Sequence, residues 1–308
     1  MANARTASVK VGNEMSLPLD STLGHLLRRS QQRHTAMWTN QFNGDLTGPQ
    51  YAVLCVVYSS ADLDQRAIGE MASLDKSTTA DVVARLERRG WLHRSPAPED
   101  ARRNIVRLSS PARVALRGIT DTARQVQGDL LDSLPATQRQ RFIELLGRVA
   151  YAGDVPTAER SDGQPVEPVL PLPTAPGHLL RRAEQLHGSA WSRLVGADIT
   201  PSQYAVLTAL SGKPQASQVE VSELASLDKS SGADIIGRLA SRGHIVLNRD
   251  PEDRRRKVLE LAPQGTALLR DVTPTVQSVQ DSLTQPLMRP RDKTDLIRHL
   301  KGVAYGTT

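Results

Sequence analysis

The sequence predicts a mainly α chain with small β-hairpins, an α+β class, folded as two like domains in tandem. Two observations predict it. Segments recur 153 positions apart: His25-Leu26-Leu27-Arg28-Arg29 returns as His178 to Arg182, Gln50-Tyr51-Ala52-Val53-Leu54 as Gln203 to Leu207, and Leu74-Asp75-Lys76-Ser77 as Leu227 to Ser230. A period that long exceeds any solenoid unit, so each copy is a whole domain. Within each copy, capped helical segments flank one pair of short apolar stretches joined by a charged turn, the pattern of a β-hairpin. Two equal domains on one chain then form the halves of an intramolecular pseudo-two-fold dimer.

The elements follow in order. Residues 1–19 are polar and non-periodic and predict a flexible arm. The first domain spans 20–151, a Pro-rich linker 152–173, and the second domain 174–308. With Pro156, Pro165, Pro168, Pro171 and Pro173, the linker is extended and semi-rigid. A long helix opens each copy, about 20–43 and 174–196. Thr47 to Gln50 and Thr200 to Gln203 read as N-caps with a Gln three residues on, starting a largely apolar second helix. Short third helices fit 66–74 and 219–227. The fourth run from Asp75 or Asp228 to Gly90 or Gly243, where glycine takes a left-handed C-terminal position. Hairpins follow, with 91–94 opposite 104–108 and 244–247 opposite 257–261. Pro111 and Pro263 then sit in the first turn of another long helix. Pro274 is expected to kink or interrupt the second of these. A last helix closes each copy, about 136–151 and 290–305.

Composition narrows the function. The formal charge of +6 and pI near 9.7 favour a polyanionic partner. Aromatics at 3% argue against single-strand binding by base stacking. The one cysteine, Cys55, lies in an apolar run, reads as a buried thiol and excludes an intrachain disulfide framework. With no signal peptide and no spanning segment, the expectation is a cytoplasmic protein without a membrane partner. A Gly-rich phosphate loop, a nucleophile elbow and metal-spaced ligands are all missing, so neither catalysis, a metal nor a cofactor is expected.

Two short helices followed by a hairpin with a basic tip are the parts of a winged helix-turn-helix, whose second helix enters the major groove while the wing reaches the backbone or minor groove. The candidate DNA contacts on that helix are Lys76, Ser77, Thr78, Thr79 and Arg85, and in the second copy Lys229, Ser230, Ser231 and Arg238. Short hydroxyl side chains and exposed amides at a helix N-terminus suit phosphates and base edges. The wing tips add Asp100, Arg102 and Arg103, and Asp253, Arg254, Arg255 and Arg256. An Asp two residues before an Arg can orient the guanidinium and leave its other donors for DNA.

Each half resembles the MarR family of winged-helix transcription regulators, almost end to end. The residues that carry the resemblance are Leu-Asp-Lys-Ser, then Arg85-Leu86-Glu-Arg-Arg-Gly90 or Arg238-Leu239-Ala-Ser-Arg-Gly243, and the wing pairs Asp100/Arg102 and Asp253/Arg255. Leu108-Ser109 and Leu261-Ala262 depart from the family's Leu-Thr. The resemblance implies a dimer built from the first and last helices on a palindromic operator of double-stranded DNA, with this chain supplying both protomers. Because Thr78-Thr79 stands against Ser231-Gly232 and Arg254 against Ala101, the expected operator is an imperfect palindrome. Repression rather than activation rests on family habit.

A second repeated set is Arg28, His34, Trp38 with Tyr51, and Arg181, His187, Trp191 with Tyr204. His and Trp at i and i+4 share a helix face, and the Arg six positions back is expected to swing in from a neighbouring arc. Guanidinium, imidazole, phenol and indole together suit a small aromatic carboxylate such as a hydroxybenzoate. The resemblance is to members that sense aromatic acids. A competing reading makes the aromatics interface core, with His satisfying a backbone carbonyl. For the whole chain the alternatives are a ligand-insensitive architectural DNA-binding protein and an unregulated scaffold.

Overall fold

The computed structural model describes residues 15–60, 62–96, 104–156, 169–249 and 257–306. In the first copy the order is α1 (Leu23–Phe42), α2 (Gly48–Ser59), β1 (Leu63–Asp64), α3 (Gln65–Ala72), α4 (Lys76–Arg88), β2 (Leu92–Pro96), β3 (Asn104–Leu108), α5 (Ser110–Leu130) and α6 (Ala136–Ala150). The second repeats it as α7 (Pro176–Leu194), α8 (Pro201–Gly212), β4 (Ala216–Ser217), α9 (Gln218–Leu224), α10 (Lys229–Ser241), β5 (Ile245–Arg249), β6 (Lys257–Leu261), α11 (Pro263–Thr284) and α12 (Pro290–Tyr305). The fold is thus mainly helical with small antiparallel wings, twice over.

Local chemistry explains the boundaries. Thr47 and Thr200 form full capping boxes with Gln50 and Gln203, with proline in the first turn of each helix. Asp75 and Asp228 cap α4 and α10. Gly90 (φ +71°) and Gly243 (φ +72°) sit in the left-handed region just past those helices and turn the chain into the wing. Ser109 caps α5 through its side chain, whereas Ala262 offers no such bond to α11. Each wing is three-stranded rather than a lone hairpin, because β1 and β4 add short antiparallel strands, Leu63 facing Val106 and Ala216 facing Leu259. Pro274 does not interrupt α11, which runs through it. The proline is exposed, so water can satisfy the carbonyl it leaves unpaired.

The chain folds into two compact units that cut across the sequence copies. One joins the chain up to Arg29 with Gln185–Gln285; the other joins Ser30–Glu184 with Pro286–Thr308. The first turns of α1 therefore belong with the second copy's core, and the first turns of α7 with the first copy's core. In the Ser30–Glu184 unit the core centres on Trp38, Val53, Leu54, Val83, Leu86 and Leu116, and α12 packs on α6. In the other unit it centres on Trp191, Val206, Leu207, Val221, Leu239 and Leu269.

The described ends of the expected arm and linker, residues 15–19 and 169–173, pack against the cores. Leu17 and Leu19 pack against the second of these cores, and Val169 and Leu172 are buried in the first. The reason is a shared Leu-Pro-Leu, at 17–19 and again at 170–172. Proline fixes the backbone between two leucines, lowering the entropy lost when they pack against the core.

Candidate functional site

Both α4 and α10 begin on a carboxylate. Asp75 accepts from the Thr78 amide (2.9 Å), the Ser77 hydroxyl (2.6 Å) and the Thr78 hydroxyl (2.5 Å), bonds that hold it well below the usual carboxylate range. Asp228 accepts likewise from Ser230 and Ser231. Ser77, Thr78 and Ser230 spend their hydroxyl protons on the cap, which leaves those oxygens as acceptors. Lys76, Ser77, Lys229 and Ser230 are exposed; Thr78 and Ser231 are half-buried. Arg85 and Arg238 are exposed one helix face away, paired with Asp81 (2.8 Å) and Asp234 (2.6 Å). The wing-tip residues Asp100, Arg102, Arg103 and Asp253, Arg254, Arg255, Arg256 lie outside the described residues.

Thr79 is a correction. It is 2% exposed, and its hydroxyl donates to the Asp75 carbonyl at 2.7 Å, so it offers nothing to a groove. It packs on Gly69, where a Cβ would lie 2.6 Å from the Thr79 hydroxyl. In the other copy the sizes are exchanged: Gly232 stands for Thr79, and Ser222, standing for Gly69, fills the space a Gly232 Cβ would need. The Thr79/Gly232 difference belongs to helix packing rather than to DNA reading.

The aromatic set forms a pocket, with the arginines exchanged relative to expectation. In the Ser30–Glu184 unit a cavity of about 130 Å³ is lined by His34, Trp38, Tyr51, Gln127, Leu170 and Arg181. Arg28 is not among them. At 100° per residue, six positions place Arg28 about 120° around the helix from His34, on a different face. It lies in the other unit, where its charge acts on His187 and its Nη2 donates to the Ala225 carbonyl at 2.6 Å. The sets are Arg181 with His34, Trp38 and Tyr51, and Arg28 with His187, Trp191 and Tyr204.

Polar contacts fix the lining. Trp38 and Trp191 donate to the carbonyls of Leu46 (2.7 Å) and Ile199 (2.8 Å). Tyr51 donates to Thr120 (3.0 Å) and accepts from the Leu170 amide (3.2 Å); Tyr204 bonds Thr273 (3.1 Å) and accepts from the Leu17 amide (3.2 Å). Gln127 bridges His34 Nε2 (3.1 Å) and the Gly177 amide (2.7 Å). Burial, then the Arg181 charge, lowers His34 to about 4 and keeps it neutral at pH 7. Burial lowers Arg181 to about 10, still cationic. Among the described residues, Arg181 Nη1 and His34 Nδ1 are buried without a hydrogen-bond partner.

Arg181 also reaches the helix-turn-helix. Its Nη2 donates to the carbonyl of Ala72, the last residue of α3, at 2.7 Å. The next residue, Ser73, turns the chain toward α4 in the left-handed region (φ 53°) and accepts from Arg182 at 2.7 Å. His178 lies 3.4 Å from the same hydroxyl and 3.0 Å from Arg181. The other unit repeats the arrangement with Arg28 on Ala225, Arg29 on Ser226 at 2.8 Å, and His25 3.3 Å from Ser226, which again is left-handed (φ 54°). Sequence reasoning passed over Gln127, His178 and Leu170. Each had a signal, since Gln280, His25 and Leu17 stand 153 positions away.

Among the described residues no group of three or more His, Cys, Asp or Glu is placed to hold a metal ion, and no helix is long and apolar enough to cross a membrane.

Models of the MarR family match residues 46–103 and 197–256. The transcriptional regulator HosA of Escherichia coli O111:H- is 33% identical over 42% of this chain and 94% of its own length. The HTH-type transcriptional repressor NicR of Pseudomonas putida is 32% identical over 44% of this chain and 90% of its own. Among solved structures, the PcaV transcriptional regulator of Streptomyces coelicolor with its natural ligand is 35% identical, covering 42% of this chain and 94% of that one, at a TM-score of 0.40.

Proposed function

Since the chain belongs to the MarR family of transcriptional regulators, we propose that it is a sequence-specific repressor on double-stranded operator DNA, an imperfect palindrome, released by a small aromatic carboxylate. One observation carries the effector reading: Arg181 lines the cavity with an unpartnered Nη1 while its Nη2 holds the turn before the recognition helix. A carboxylate entering the cavity pairs best with both guanidinium nitrogens, so it competes with Ala72 for Nη2. Loosening that bond biases the α3–α4 turn and with it the aim of α4. The cavity approaches the ~150 Å³ that accommodates a benzene ring, with Trp38 as wall and Tyr51 and neutral His34 as partners for ring hydroxyls. Repression finds support in the relative NicR, named a repressor.

The test is gel retardation on the promoter region of the protein's own gene, titrated with hydroxybenzoates and hydroxycinnamates. A specific shift reversed by one of these acids is expected, and Arg28→Gln with Arg181→Gln should abolish the reversal. No specific shift overturns the regulator reading. A shift that no aromatic acid reverses overturns the effector reading, and a double variant that still responds puts the site elsewhere.

A further inference from the structure

The packed end helices α6 and α12 are not chemical equals. Asp292 on α12 has its side chain 4% exposed, yet it carries a carboxylate. It is neutralised from α6, by Arg141 in direct contact and by Arg148 at 3.7 Å. A buried carboxylate is tolerable only with such partners. His299 adds a second asymmetry, meeting Phe142 edge-on with centroids 6.2 Å apart.

Val149-Ala150-Tyr151 returns as Val303-Ala304-Tyr305, 154 positions on, which aligns the two helices. Asp292 then corresponds to Gln138, Asp295 to Arg141, and Gly302 to Arg148. If α12 met another α12 in this geometry, Asp292 would face Asp295, a largely buried carboxylate already paired with Arg298 and Arg291 of its own helix, and find glycine where Arg148 stands. If α6 met another α6, Arg141 and Arg148 would face Gln138 and lose Asp292, Arg141 keeping Glu144 of its own helix at 3.7 Å. Each helix offers the other what its own kind lacks.

We infer that the α6–α12 face is an interaction surface that pairs unlike ends, α6 with α12, and rejects like ends, so that the tether within one chain closes the chain on itself. Loss of the Arg141 and Arg148 partners of the buried Asp292 is the means of rejection.

Charge inversion in the full-length chain tests this, read by light scattering on a sizing column across micromolar concentrations. The unaltered chain should hold the mass of one chain throughout. Asp292→Arg, which opposes Arg141 and Arg148, should open the pairing and populate species of two or more chains. Adding Arg141→Asp and Arg148→Asp to Asp292→Arg should restore the one-chain mass. An equimolar mixture of the Asp292→Arg chain with the Arg141→Asp/Arg148→Asp chain should form a complex of one of each, because both crossed pairings are again complementary. Self-association of the unaltered chain overturns the inference, as does an Asp292→Arg chain that stays single. If Asp292→Arg aggregates, the triple variant decides: return to one-chain mass supports the inference, and failure to return overturns it.

Discussion

Four buried histidines, His25, His34, His178 and His187, face arginines without facing carboxylates of comparable weight. Burial is the first cause in every case, and it lowers His34 and His187 to about 4 and His25 and His178 to about 3. The unfolded chain takes up protons as pH falls past about 6.5, while the folded chain does not. Stability is therefore full above that value and is lost as pH falls from 6.5 toward 4. Urea titrations should show the midpoint dropping over that window, and His34→Gln with His187→Gln should flatten the drop. A midpoint independent of pH between 7 and 4.5 would contradict the buried, neutral state. At this scale the sequence showed His34, Trp38 and Tyr51 as a set, because i,i+4 spacing and repetition are local signals. It misassigned Arg28, since an arginine's companion 150 residues away leaves no local trace. Only the helix angle of six positions argued against Arg28, and that angle was available from the start.

Among elements, the packing of α3 on α4 and of α9 on α10 makes the exchange of sizes testable. Gly232→Thr alone drives a side chain into Ser222, and Gly69→Ser alone drives one into Thr79. Overpacking of this kind costs about 1–3 kcal/mol. Pairing Gly232→Thr with Ser222→Gly should recover most of the loss, a coupling that denaturant unfolding of the two singles and the double would measure. Additive effects would mean that the contact does not govern the site. Caps, turn glycines and wing strands were legible because they depend on near neighbours: Thr47 with Gln50, Asp75 with Thr78, Gly90 after Arg89. The inward turn of Thr79 was not, because one threonine at a helix start reads alike whether its hydroxyl faces solvent or its own cap carbonyl. Leu-Pro-Leu at 170–172 was hidden by its prolines, which mark a linker as readily as a strap over a pocket.

For the whole molecule, duplication on one chain frees the halves to differ, and the unequal wings follow from the sequence. Arg254 stands where the first copy has Ala101. Arg255→Ala should weaken operator binding more than Arg102→Ala, and Arg254→Ala should flatten the slope of log affinity against log salt by about 0.9. Fluorescence anisotropy on one operator across a salt series measures both, and equal losses for Arg255 and Arg102 would refute unequal half-sites. The exchange of glycine and side chain between positions 69 and 79 has a further consequence, for inheritance. Duplicated DNA tracts tend to overwrite one another, but a short tract carrying one of these positions without the other leaves either a collision or a void inside a helix-turn-helix. A conversion survives here only if it spans both positions. The packing thus acts as a barrier against homogenisation, guarding the divergence on which the proposed unlike half-sites depend.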